Sequence, residues 1–420
     1  MRAELRGPAG TLIASSSEPL TVPKRPEWLD NTIGITDRVP PPWTPLNVAD
    51  KTVSVSLREY RLGDNGLPQQ IHAAGQDILA APITMAATVN GEQPAWEFAP
   101  LRLLSSTERR ATWAVQGKAG PLALVGTLWT EFDGFSLLTF DLTGAPDVTL
   151  DALVIEVPMK ASYARYARGR RQLPPGKFVT ASLYPDTFAS ARDVDIGDHG
   201  TWLYSPSWKW QDTMFNELFV GGDIRGLAFL TESDQYIRGP AYADFTRTED
   251  TVVLRISLIS TPTLLSKPLH YEYGYIATPV KPRPKDPIIH QPSYFATDKY
   301  PEFIQRSCVA VNYHILANIN TPRYRHPQGG KALVKRIGNY GVPVVADTYM
   351  SAASTTTPEY ALFSPEWDVL PRDGWVVPTG RVRYACQSTS HAQFYLDSAR
   401  RMVEEMGLGG VYIDVSGPMA

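Results

Sequence analysis

The sequence predicts a multidomain chain: a large antiparallel β-sandwich followed by a partial (β/α) barrel of about four βα units. Three observations carry this. From about residue 50 to 278 the apolar residues recur with period two, the spacing of half-buried strands. Pro279, Pro282, Pro284, Pro287 and Pro292 then stiffen a short connector. Beyond it, apolar runs alternate with amphipathic stretches of helical period, the pattern of parallel βαβ units.

Taken in order, residues 1–45 are polar and proline-rich and end in Pro40-Pro41-Pro42-Trp43-Thr44-Pro45, which predicts an extended strap. Residues 46–278 form the predicted sandwich. Val252, Leu254, Ile256 and Leu258 share one face of a strand, as do Leu153, Ile155 and Val157 of another. Trp129 to Leu142 adds Phe135, Leu138 and Phe140, and Asp64-Asn65-Gly66 and Asp133-Gly134 supply turns. Residues 279–300 are the linker, and residues 301–420 the predicted half-barrel. Its strands are expected near 308–318, 342–350, 381–387 and 410–414. A helix over Lys331 to Tyr340 turns Leu333, Ile337 and Tyr340 to one side before Gly341. A second helix opens at Ser390-His391-Ala392-Gln393, with capping-box spacing, and carries a stripe of Tyr395, Ala399, Met402, Val403 and Met406 up to Gly407. A closed barrel has eight strands. The expectation is therefore a truncated piece of a longer chain, with completion by a partner or an open sheet as alternatives.

Composition narrows the function. Apolar residues make up 43% and charged residues 20%, enough for a globular core. Net charge is -3, and the densest basic stretch, Arg165 to Arg171, is short, so a nucleic-acid footprint is not expected. A neutral or mildly charged ligand fits better. Cys308 and Cys386 are too few for a disulfide framework and read as buried thiols. No apolar run reaches the ~20 residues of a membrane span, and no signal peptide is visible in Met1 to Ser17. No spacing of His, Cys, Asp and Glu suggests a metal, and no phosphate or dinucleotide motif suggests a cofactor. Gly221-Gly222-Asp223 reads as a turn. Nothing in the sequence fixes an oligomeric state.

In parallel α/β folds, ligands bind beyond the carboxyl ends of the strands. Asp414 closes an apolar strand there and is the candidate catalytic carboxylate. It can serve as nucleophile, as general acid or base, or as the group that orients a substrate; a turn carboxylate bonding the following amides is the structural alternative. Asp347 and Tyr349 close the preceding apolar strand on a shared face and are candidate substrate contacts, or else an Asx turn. His314 and Asn318 lie in or just past the first strand, where a core histidine is the simpler role. Gln387 and His391 flank the turn before the last helix as hydroxyl binders or capping groups. Trp367 and Trp375 sit in a predicted long loop, where they can stack on sugar rings or fill the loop's interior. Trp202, Trp208 and Trp210 form either a carbohydrate platform or sandwich core.

Several stretches carry a resemblance. Pro40-Pro41-Pro42-Trp43-Thr44-Pro45-Leu46, Arg58-Glu59-Tyr60-Arg61, Gly226 to Asp234, Ala277 to Pro282 and Gly410 to Asp414 resemble a bacterial group of glycoside-hydrolase-like proteins of unassigned activity. That group is similar in architecture to glycoside hydrolase family 123, the β-N-acetylgalactosaminidases. The resemblance spans most of residues 40–420. It implies a sandwich followed by a catalytic barrel, a carbohydrate substrate and a secreted or periplasmic setting. The family mechanism uses an adjacent Asp-Glu pair. Here Val415 follows Asp414, so that mechanism does not transfer, and the acid is expected beyond Ala420. The functional expectation is thus a glycoside hydrolase acting on a glycan, with an amino sugar as one option. The alternative class is a carbohydrate-binding or structural protein in which the sandwich binds and the barrel is not catalytic. A polysaccharide lyase would need a Tyr/His or Arg/Tyr base set that the barrel residues do not assemble.

Overall fold

The computed structural model describes residues 2–17, 24–171, 194–195, 215–282 apart from 232, 234 and 240–242, then 305, 309–312, 327–369 and 382–414. The chain divides into two compact units, Thr36–Lys285 and Met1–Ile35 with Asp286–Met419.

The first unit is built of antiparallel sheets around one apolar core. The largest runs Arg102–Ser106, Arg110–Ala119, Leu122–Glu131, Ser136–Gly144, Leu269–Thr278, Gly226–Leu230, Phe215–Gly221, Tyr166–Arg171, Val194–Asp195. A second places Thr149–Lys160 between Thr251–Ile259 and Thr84–Val89. A third is a meander from Asn47–Ala49 to Gln76–Asp77. The period-two faces are the buried ones: Val252, Leu254, Ile256 and Leu258 face the core, as do Leu153, Ile155 and Val157. Asp133-Gly134 and Asp64-Asn65-Gly66 are turns, and Gly134 has φ +80°, a conformation that favours glycine. Gly222 N–H donates to the Arg225 carbonyl, closing the predicted turn there.

The motif Arg58-Glu59-Tyr60-Arg61 has a physical basis in this unit. Period two turns Arg58 and Tyr60 inward, while Glu59 and Arg61 pair outside at 3.1 Å. Arg58 is only 3% exposed. Its guanidinium donates to the carbonyls of Ser56, Ala277, Asp133 and Val280. Tyr60 Oη donates to Gly134 O and accepts from Ala277 N–H, both at 3.0 Å. Trp43 Nε1 donates to Val280 O. The stretches at 40–46, 58–61 and 277–282 thus meet in one hydrogen-bonded cluster. A buried cation is tolerable there because each of its three nitrogens donates to a carbonyl.

The second unit contains β1 (Ala310–Asn312), α1 (Pro327–Gly338), β2 (Val344–Tyr349), β3 (Ala352–Ser354), α2 (Pro358–Trp367), β4 (Val382–Tyr384), α3 (Ser390–Met406) and β5 (Gly410–Asp414). Strands β1, β2 and β5 form a parallel sheet in sequence order. Ala310, Val344 and Ala346 pack with Val334 and Ile337 of α1 and with Met402 and Met406 of α3. Both helices therefore cover the same face of the sheet, and they touch each other. Thr389 caps α3 by accepting from His391 N–H, one residue before the predicted start, while Gln393 Oε1 accepts from Asp30 N–H instead of closing a capping box. Gly407 ends the helix at φ 74°.

Three expectations are corrected here. The strand expected near 381–387 does not join the parallel sheet; β4 pairs antiparallel with β3. The described residues thus hold three parallel strands, and a four-unit partial barrel is not established. Hydrophobic pattern marks a strand but not the direction of its partner. The loop predicted to carry Trp367 contains α2 instead: Pro358 sits at the first turn, where its missing N–H costs nothing, and Thr357 caps it. Residues 2–17, placed by sequence in an extended strap, form a hairpin of Arg2–Arg6 with Leu12–Ser17.

Candidate active site

The carboxyl ends of β2 and β5 bring the candidate residues together. Parallel register sets Asp347 opposite Tyr412 and Tyr349 opposite Asp414. Residues so paired share a sheet face. Val344 and Ala346 face the helices, so period two assigns Asp347, Tyr349 and Tyr412 to the opposite face. Asp347 is fully buried, whereas Tyr349 and Tyr412 are half-buried.

The helix side of the same strand ends is pinned by hydroxyls. Thr348 Oγ1 lies 2.7 Å from Tyr395 Oη and 3.0 Å from the Tyr412 carbonyl. A carbonyl only accepts, so the threonine proton goes to Tyr412 O and Tyr395 Oη donates to Thr348. This chain joins α3, β2 and β5. Burial raises the Tyr395 pKa; the Thr348 bond opposes the shift and the nearby Asp347 charge adds to it. Tyr384 of β4 is pushed up to about 12 by burial, with a smaller push from Tyr349.

Two predicted substrate contacts have structural roles. Gln387 Nε2 donates to Met350 O at 2.6 Å and Ala385 O at 3.1 Å. It also lies 2.9 Å from His391 Nδ1. Burial lowers the His391 pKa to about 4, with the Ala352 backbone opposing. Gln387 and His391 together brace the β3–β4 insertion. Trp367, predicted in a long loop, is 0% exposed and fills the interior of this region. Its ring meets Phe363, Phe394, Trp28 and His391, and Nε1 donates to Ser390 Oγ at 2.9 Å. His314, Asn318, Trp375, Trp202, Trp208 and Trp210 lie outside the described residues.

Sequence reasoning overlooked Tyr412, Tyr384 and the Thr348–Tyr395 pair. Period two from Asp414 would have found Tyr412. Tyr384 comes close only through the β3–β4 hairpin, which has no signature in the pattern. Among the described residues no three His, Cys, Asp or Glu converge as a metal site.

Comparison with known proteins finds a family match within the first unit. Residues 46–251, just under half of the chain, match the family described as glycoside hydrolase 123, third domain. The match supports a family-123-related architecture for these residues. No curated protein matches the chain. Among solved structures, the galactosidase domain of an α-galactosidase–sucrose kinase is 10% identical, with TM-score 0.37 over 85% of this chain and 58% of its own. An α-galactosidase from Lactobacillus brevis is 10% identical, with TM-score 0.35 over 96% of this chain and 60% of its own. A galactose mutarotase related enzyme from Lactobacillus acidophilus is 8% identical, with TM-score 0.33 over 58% of this chain and 100% of its own. The chain thus spans about three fifths of the two galactosidases' length. Likenesses this slight carry no activity across. No helix among the described residues is long and apolar enough to cross a membrane.

Proposed function

We propose that the second unit is the opening of a (β/α) barrel, and that the chain is a glycoside hydrolase binding its glycan at the carboxyl ends of β2 and β5. The observation that carries this is the sheet order. Consecutive parallel strands with both helices on one face are what a barrel wall requires, whereas a doubly wound sheet places helices on both faces. The helix-free face then becomes the barrel interior, with Asp347, Tyr349, Tyr412 and Asp414 at its mouth. In this reading Asp414 is the catalytic carboxylate, and Asp347 and Tyr349 contact the sugar. The second carboxylate that glycoside hydrolysis requires belongs to another part of the site.

The test is turnover of a panel of aryl glycosides by the protein and its Asp414→Asn variant. A fall of about 100-fold or more in kcat, with unchanged circular dichroism, is expected. Near-normal kcat removes Asp414 from the chemistry. The rival class, a carbohydrate-binding or structural protein, predicts saturable glycan binding with no turnover in either form.

A further inference from the structure

Positions 344, 346 and 348 of β2 face the helices, and the first two are Val344 and Ala346, packed in the apolar core between sheet and helices. The third is Thr348, equally buried at 0% exposure. A valine there would have the same shape and no hydroxyl to satisfy. The hydroxyl is satisfied by one residue from each neighbouring element. Tyr395 Oη of α3 donates to it at 2.7 Å, and it donates to the Tyr412 carbonyl of β5 at 3.0 Å. Tyr395 is itself only 3% exposed, so water cannot stand in for either partner. Burial raises its pKa, so the phenol keeps its proton near neutral pH. Helix α3 is held on both sides of this tyrosine, with Phe394 in one apolar cluster and Met402 and Met406 in another.

Replacing a buried hydroxyl pair by apolar groups of the same shape costs a fold little, whereas burying the pair costs desolvation. Stability therefore does not account for Thr348; its place does. The β2–β5 ladder ends at the Tyr349–Asp414 pair, and a ladder opens first at its end. Thr348 stands between Asp347 and Tyr349 in the chain, and the carbonyl it holds lies two residues before Asp414. One hydroxyl thus ties together the two backbone segments that carry every residue assigned to the mouth. Small displacements cost most where reacting groups must be aligned: a shift of about 1 Å can lower a rate about 100-fold.

We propose that Thr348, oriented by Tyr395, is a positioning residue that holds the end of β5 in register with the end of β2, and acts on the substrate only through Asp347, Tyr349 and Asp414. This rests on the glycoside hydrolase reading given above. The experiment compares the wild type with Thr348→Val, Thr348→Ser and the double variant Thr348→Val/Tyr395→Phe, on whichever aryl glycoside of the panel the wild type turns over fastest. Thr348→Val is expected to lower kcat about tenfold or more with KM within about twofold, and Thr348→Ser to recover most of the loss. The double variant is expected to keep the low kcat while its thermal midpoint stays within about 3 °C of the wild type, because no side-chain hydroxyl is left stranded. Exchange of the amides over 411–414, read by mass spectrometry, is expected to quicken about tenfold in Thr348→Val and not in Thr348→Ser. Four results overturn the positioning role and leave the hydrolase reading intact: a wild-type kcat in Thr348→Val, a loss that serine does not recover, unchanged exchange, or a double variant that loses its thermal midpoint together with kcat. A wild type that turns over no glycoside defeats that reading itself, and the positioning role falls with it.

Discussion

His391 illustrates how one residue can mark a region without performing chemistry. Its ring is sealed between Trp367, Phe394 and the β3–β4 insertion, with Nδ1 held by Gln387. Such an imidazole is a poor proton carrier near neutrality, because the folded protein refuses the proton until about pH 4. The unfolded chain accepts it at an ordinary pKa near 6.5. Above that value both states are neutral, and the full stability is present. As pH falls from about 6.5 to about 4 the unfolded state gains a proton that the folded state does not, and stability is lost. The total amounts to about 3 kcal/mol. Urea unfolding of the second unit, followed through Trp28 and Trp367 fluorescence, is expected to weaken over that window. In His391→Asn the dependence over the same window flattens, and a slope identical to the wild type would show that another group titrates.

At the scale of elements, α2 and its surroundings separate core from binding surface. Trp28, Ala353, Trp367, Ala385 and Phe394 form a small apolar cluster of their own. Trp367→Ala is expected to destabilise the second unit by about 3–5 kcal/mol, the cost of removing a large buried ring. Thermal unfolding measures this, and an unchanged midpoint would return Trp367 to the list of exposed sugar contacts. The same region shows where the sequence was readable. The strands at 149–160 and 251–259 were legible because one face is buried, and burial writes period two into the sequence. Helix α3 was legible from its stripe, although its cap was placed one residue late because Thr389 and Ser390 are both capping types. Asp347 and Tyr349 were legible as strand-end residues. Helix α2 was hidden by Pro358, which reads as a breaker unless its place in the first turn is known, and by Pro365, which lies inside the helix. The antiparallel pairing of β3 with β4 was hidden because each strand has only three residues, too few for a period. The backbone role of Gln387 was not legible, because a side-chain amide bonds backbone carbonyls and sugar hydroxyls with the same donors.

For the whole molecule, the order of strands says more than their number. Leu269–Thr278 is the last strand of the first unit in sequence, yet it lies in the middle of the largest sheet. It pairs with Ser136–Gly144 on one side and Gly226–Leu230 on the other. It also buries Tyr271, Tyr273, Tyr275 and Ala277, and the Ala277 backbone takes part in the Arg58–Tyr60 cluster. The family match ends at residue 251, before this strand. A fragment cut at 46–251 would expose the edges of Ser136–Gly144 and Gly226–Leu230, strip the Thr251–Ile259 strand from between Thr149–Lys160 and Ala243–Arg247, and leave the Arg58 guanidinium without the Ala277 and Val280 carbonyls. It is therefore expected to aggregate or to give an unfolded spectrum, while residues 36–285, which include the strand and both carbonyls, fold as a cooperative β-domain. Dispersed amide NMR signals from the 46–251 fragment would contradict this. The sheet would then tolerate the loss of its central strand, and the 58–61 and 277–282 stretches would matter for something other than closing the domain.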